Sequence, residues 1–255
     1  MLHFIFPADP LNSRAVDEYF EPQRAAVLDR SYSTSLVADS VLAGGGGLRG
    51  IPEGALVVYR GWMITAAQYE RLEGAVRAAG GRPLTTLHQY LATHHLPNWY
   101  PLVREFTPET RVFAENADLP SALRALGWQA FFVKDYVKSL KTSVGSRIAD
   151  SDEIGRVVAE MRKYRCEIEG GICVRQVEDL VTSTERRYFV LRGQPSASDS
   201  TAPIPEAVHA AAARVRSPFF SVDVVTPSLS ISVVTSSKRY TSLRTSAMTT
   251  ASSSA

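Results

Sequence analysis

Lys134 ends an apolar, β-prone run, and more cations and a small-residue turn follow at once. The stretch Phe131–Ile148 reads FFVKDYVKSLKTSVGSRI. A cation at the end of a strand is held with little side-chain freedom left to lose. A Gly/Ser backbone beside it can turn its N–H groups toward phosphate oxygens. The pattern predicts a triphosphate grip, with Lys134 as its anchor and Ser143–Arg147, including Gly145 and Ser146, as a covering loop. Lys138 and Lys141 suit either phosphate contact or the solvated face of a short helical turn.

Two further sets of residues have the chemistry to join such a site. Arg186 and Arg187 lie in the strand-like segment ERRYFVLRG, where neighbours alternate faces and only one of the two can point into a site. Asp223 is the acid of the last apolar run, FFSVDV, and no Asp or Glu follows it. Arg60, after the apolar run Ala55–Tyr59, is a candidate for an acceptor carboxylate or a phosphate. Other constellations are weaker. Gly44–Gly47 is a glycine loop without a following Gly-Lys-Ser/Thr, and no helix start is predicted there. His88, His94 and His95 sit among aromatics with no acid or cysteine at ligand spacing, which predicts a surface loop with aromatic packing rather than a metal site. No GxSxG elbow or Ser-His-Asp arrangement occurs.

The 255 residues are enough for one large domain or two small ones, and 45% hydrophobic with 21% charged residues is ordinary globular composition. A net charge of +2, with basic residues scattered, argues against a nucleic-acid partner. Two cysteines, Cys166 and Cys173, outside any CxxC spacing predict buried thiols and a cytoplasmic setting. The opening MLHFIFPADP lacks a signal-peptide pattern, and no apolar run approaches the ~20 residues that cross a bilayer.

The elements that would hold these residues follow from periodicity and punctuation. His3–Phe6, Ser35–Leu42 and Ala55–Tyr59 read as strands. Arg14–Arg30 reads as a helix, as does Ala66–Ala79 with Thr65 as its cap. Alternating strands and helices predict a small parallel α/β layer. Thr86–Arg111 reads as irregular. Arg111–Ala114 is a strand candidate and Leu119–Leu126 a helix starting near Asp118. A helix from Asp150 to about Tyr164 carries acids first and cations last, which suits the helix dipole. Strands at Ile172–Val177, Arg186–Arg192 and Phe219–Val225, a polar loop at Ser196–Ala202 and an Ala-rich helix at Pro205–Val215 complete the reading. Beyond Thr226 more than half of the residues are Ser or Thr, a composition that buries little apolar surface and predicts a loose tail.

The order from Phe131 onward resembles the ATP-grasp superfamily, and within it a bacterial and phage clade known for its arginines and lysine. The resemblance rests on Tyr59–Met63 (YRGWM), Phe132–Asp135 (FVKD), Gly171–Leu180 (GICVRQVEDL), Glu185–Gly193 and Phe219–Val224. It covers about residues 1–225. It implies an α/β (α+β) fold: a small Rossmann-like pre-ATP-grasp domain at 1–115, an ATP-grasp nucleotide-binding domain with antiparallel sheets at 116–225, cut short, and an aberrant or disordered tail at 226–255. It also implies roles. Lys134 contacts ATP phosphates, with Lys138, Ser143, Gly145 and Ser146 near them. Backbone groups of Gln176, Val177 and Glu178 read the adenine edge, unless Glu178 and Asp179 are a solvated pair at a strand end. Arg187 stabilises phosphoryl charge, and Asp223 is the first Mg²⁺ ligand.

The implied activity is an ATP-dependent carboxylate–amine or carboxylate–thiol ligase working through an acyl phosphate. ATP and Mg²⁺ would be its cofactors, and its partners would be ATP and a carboxylate substrate, with no nucleic acid and no membrane. The sequence departs from the family after Asp223. Where further acids belong it reads SLSISVVTSSKRYTSL, hydroxyls and cations that cannot replace carboxylates on Mg²⁺. That departure fits either a frame-shifted or truncated form of an active ligase, or a non-catalytic nucleotide-binding or partner-binding module.

Overall fold

The computed structural model describes residues 1–137, 145–165, 168–197, 203–227 and 242–246. Lys138, Lys141, Ser143, Cys166 and most of the Ser/Thr-rich tail lie outside the described residues. The chain divides into two compact units, one built chiefly on Met1–Leu91 and the other on Ala92–Arg216 and Ser221–Thr245.

The first unit is a four-stranded parallel sheet. Its strands are β1 (Leu2–Pro7), β2 (Ser33–Val37), β3 (Leu56–Tyr59) and β4 (Arg82–Pro83), in the order β2-β1-β3-β4. The helices α1 (Glu21–Leu28), α2 (Asp39–Leu42) and α3 (Ala66–Ala78) are its crossovers. Parallel neighbours need such crossovers. Helix α3 starts on a full capping box: Thr65 Oγ1 accepts from the Gln68 amide, and Gln68 Oε1 accepts from the Thr65 amide at 2.9 Å. Ile5, Val57, Leu72 and Val76 fill the core. His3 is fully buried on β1, with its ring nitrogens 2.8 and 2.9 Å from the hydroxyls of Ser33 and Ser35 on β2.

Two expectations change here. The predicted helix Arg14–Arg30 reduces to a 3-10 turn at Glu18–Phe20 and α1. Val16 forms an antiparallel bridge with Ala8, and the Asp17 amide donates to the Pro7 carbonyl at 3.0 Å, so the start of the expected helix pairs with the end of β1 instead. The predicted strand Ser35–Leu42 stops at Val37 and turns into α2.

The second unit carries two further sheets. Strands β5 (Thr110–Phe113), β6 (Phe131–Lys134), β7 (Arg147–Ile148) and β8 (Ile172–Gln176) pair antiparallel in the order β5-β8-β6-β7. Helices α6 (Leu119–Leu126) and α7 (Ile154–Arg165) pack Leu123, Ile154, Val157 and Met161 against Val133, Ile172 and Val174. Each of these fully buried side chains contributes ~1.5–3 kcal/mol through burial. Strands β9 (Leu180–Leu191), β10 (Gln194–Ala197), β11 (Phe219–Pro227) and β12 (Ser242–Ser246) form the other sheet, in the order β10-β9-β11-β12. Helix α8 (Glu206–Arg214) precedes β11.

Thr86–Arg111 is not irregular. It holds α4 (Leu87–His94) and α5 (Leu96–Val103), with Tyr90, His94, Leu96, Trp99 and Val103 buried. His88 and His94 thus lie in α4 and His95 caps α5, so the loop expectation is corrected, while of the three only His94 is buried. Pro97 and Pro101 hide the helical spacing, yet Pro97 lies in the first turn of α5, where a proline removes no helical hydrogen bond. The expected loop at Ser196–Ala202 begins as strand instead. Arg192 and Gly193, at φ 50° and 76°, form the tight turn that folds β10 back on β9.

Candidate functional site

Lys134 is the last residue of β6, half-buried and opposite Cys173 of β8. Its Nζ donates to the carbonyl of Val137 at 3.0 Å. The next residue fixes this end of the strand. Asp135 is fully buried and accepts from the amide of Val137 at 2.7 Å and that of Glu169 at 3.4 Å. Glu169 also pairs with His95, Oε1 to Nε2 at 3.1 Å, and the His95 ring meets Tyr136 edge-on. Gly170 has φ 83°, and a Cβ there would lie 2.2 Å from the Tyr136 ring, so glycine is required by both backbone and space. The sequence reading missed this tie between β6 and the turn before β8. No local spacing links His95 to Glu169.

The covering loop is shorter than expected. Ile148 and Arg147 pair with Phe131 and Phe132, and the Val133 amide donates to the Ser146 carbonyl at 2.7 Å. Ser146 is buried and Arg147 belongs to a strand. The turn at Gly145, with φ 68°, is the described end of the loop. Lys138 and Ser143 lie outside the described residues.

At the end of β8 the amides of Gln176 and Val177 donate to the carbonyls of Glu109 and Ala130, at 2.8 and 3.2 Å. Their N–H groups are thus engaged inside the protein. Glu178 is half-buried, and burial holds its carboxyl above the ordinary range, with Arg175 acting in the opposite direction. Arg175 itself is buried and donates to Thr107 Oγ1. Burial also pushes the Cys173 thiol up to about 12.

Arg187 and Asp223, expected to play separate roles, are joined. Arg187 Nε and Nη2 donate to Asp223 Oδ1 and Oδ2 at 2.6 and 2.8 Å, across from β9 to β11. The bonds to Asp223 raise the Arg187 pKa further. Arg186 faces outward, as strand alternation requires.

These residues do not fit a Mg²⁺ site built on protein carboxylates. Both Asp223 oxygens accept from Arg187, no acid follows it in the sequence, and the described residues hold no cluster of three or more His, Cys, Asp or Glu. In the first unit Arg60 follows β3, and its Nη2 donates to Gln23 Oε1. It lies at the carboxyl end of the strands, where the connections from β1 and β3 leave in opposite directions, the usual ligand crevice of such sheets. Beside it Trp62 packs edge-on against Tyr19 and Phe20, and its indole N–H donates to Asp17 at 2.7 Å.

A lysine strand, an adjoining turn and an arginine strand on paired antiparallel sheets, with a parallel unit ahead of them, make up the ATP-grasp fold. Residues 125–234 match a family model for the ATP-grasp domain, the third family of the clade named for its arginines and lysine. That match covers less than half of the chain and assigns this segment to an ATP-grasp domain family. Solved structures agree on the fold. D-cycloserine synthetase DcsG superposes with a TM-score of 0.62 at 13% identity, over 97% of this chain and 91% of that one. D-alanine–D-alanine ligase from Bacillus anthracis gives 0.60 at 13% identity, over 97% and 86%. The RimK domain ATP-grasp protein from Sphaerobacter thermophilus DSM 20745 gives 0.55 at 15%, over 88% and 86%. No curated protein matches the sequence. No helix among the described residues is long and apolar enough to cross a membrane.

Proposed function

We propose that this chain binds ATP through its second unit, and that the reaction its scaffold suits is ATP-dependent ligation of a carboxylate to an amine or thiol. The observation that carries the reading is Lys134, fixed at the end of β6 by the buried carboxylate of Asp135, within a segment that matches an ATP-grasp family model. The Lys134 ammonium and the Arg187 guanidinium neutralise phosphate oxygens. The carbonyls of Gln176 and Val177, with Glu178, meet the adenine amino group or the ribose. A carboxylate oxygen of the acceptor attacks the γ-phosphorus, the bond to the β-phosphate oxygen breaks, and acyl phosphate and ADP form. The amine or thiol then attacks the acyl carbon, and phosphate leaves. Arg60 is the candidate for holding the acceptor carboxylate. D-alanine–D-alanine ligase and D-cycloserine synthetase, named among the similar structures, are consistent with small carboxylate substrates.

A second reading, a nucleotide-binding module without turnover, is favoured by one observation: the acid expected to hold the metal is bonded through both oxygens to Arg187. Thermal melting with ATP tests the common ground. At 100 times its dissociation constant a ligand adds about 2.7 kcal/mol of stability. The expected result is an upward shift with ATP that Lys134→Ala weakens at least about tenfold in affinity, as loss of a charge-assisted bond predicts. No shift with ATP, with or without magnesium, would sink both readings. ADP release that depends on a carboxylate and an amine selects the ligase, and binding without ADP release across such mixtures selects the module.

A further inference from the structure

The bidentate pair on β9 and β11 gives Asp223 a different task from the one its place in the sequence suggests. Its residue exposure is 7%, and both oxygens accept from Arg187 in bonds of 2.6 and 2.8 Å. The Arg187 side chain keeps 31% of its surface exposed, against 9% for that of Asp223. The acid is therefore the inner member and the guanidinium the outer one. A guanidinium carries five N–H donors, and Asp223 takes one on Nε and one on Nη2. Among the described residues Arg187 makes no other hydrogen bond within the protein, so the Nη1 edge and one Nη2 proton remain for a ligand. Each oxygen keeps a second lone pair, but a divalent cation bound there would sit beside the guanidinium that already shares the carboxylate's single negative charge. No further carboxylate follows in the sequence to offset it.

We infer that Asp223 is the positioning residue of Arg187 rather than a metal ligand, and that the pair is a fixed anion clamp for the triphosphate of ATP, whose affinity does not depend on a metal held by the protein. The inference rests on the ATP-binding reading above and gives that site its charge logic. One strand supplies a lysine as a point charge, and the other supplies an arginine locked in plane by a buried acid.

Titrating ATP and inorganic tripolyphosphate into the full chain, once with excess magnesium and once with EDTA, tests it. The variants are Asp223→Asn, Asp223→Ala, Arg187→Lys, Arg187→Ala and the double Arg187→Ala/Asp223→Ala, each checked for folding by circular dichroism. Arg187→Ala should weaken ATP at least about tenfold, in line with loss of a charged hydrogen bond, and Arg187→Lys nearly as far, because an ammonium cannot make the paired bonds. Asp223→Ala should weaken ATP by the same factor with magnesium as with EDTA. The double variant should be no weaker than Arg187→Ala alone, since removing the orienter of an absent group costs nothing more. Where the alanine variant does not fold, the near-isosteric Asp223→Asn carries the same comparison.

A loss on Asp223 substitution that is confined to magnesium, or losses that add in the double variant, overturns the positioning role while ATP binding itself stands. If the unaltered chain shifts with neither ATP nor tripolyphosphate, the nucleotide reading falls and the clamp falls with it.

Discussion

The two sheets of the second unit treat charge in opposite ways. On and beside the sheet of β5, β6, β7 and β8, two charged groups are buried and consumed by the protein. Asp135 is fully enclosed on backbone amides, and Arg175 is 8% exposed and bonded to Thr107. On the sheet of β9 and β11 an acid is buried only to hold an arginine that stays partly exposed. In the first case a buried charge fixes the backbone that carries Lys134. In the second it fixes a side chain. The difference shows that a buried carboxylate marks a fixed neighbour, and that the neighbour's exposure decides whether the arrangement is structural or available to a ligand.

The sharpest break in this comparison is a pair of substitutions. Asp135→Ala leaves two backbone amides without their acceptor and should lower folding stability by about 1.5–3 kcal/mol, read from urea unfolding. Arg187→Met, by contrast, should lower ATP affinity at any ATP concentration tested, well beyond what its own change in melting temperature accounts for. Equal stability losses with equal affinity losses would erase the distinction between the two sheets.

A smaller effect should appear in the first unit. Burial depresses the pKa of His3, so the fold favours the neutral ring. The stability this provides is present above the ordinary histidine pKa of about 6.5 and is lost as pH falls through the depressed folded value. Melting temperature should drop between pH about 7.5 and about 5, and drop less in His3→Asn. An equal drop in the variant assigns the acid sensitivity elsewhere.

The smallest expected effect is chemical. Cys173, fully buried opposite Lys134 with its thiol pushed up to about 12, should resist iodoacetamide at neutral pH in the folded chain and react once unfolded. Peptide mass mapping reads this residue separately from Cys166. Rapid labelling of the folded chain would mean that the strand pair at Lys134 opens.

Where the chain announces its structure locally, the sequence sufficed. Thr65 with Gln68, Asp118 with Ser121 and the left-handed Gly127 define helix ends through contacts within a few residues. Lys134 stood out because a cation ending an apolar run needs no partner to be noticed. Arg187 and Asp223 were also legible as candidates, each from its own strand. What the sequence could not contain was their pairing. They are 36 residues apart, and only the adjacency of β9 and β11 brings both carboxylate oxygens onto one guanidinium. The same holds for His95 and Glu169, 74 residues apart, and for the Gln176 amide that the Glu109 carbonyl engages. Periodicity, caps and the absence of acids after Asp223 are properties of neighbouring residues, so the sequence by itself determined most of the elements, the lysine and the acid-free stretch that follows Asp223. Which charges are consumed and which are presented depends on burial and long-range pairing, and only the tertiary structure decided that.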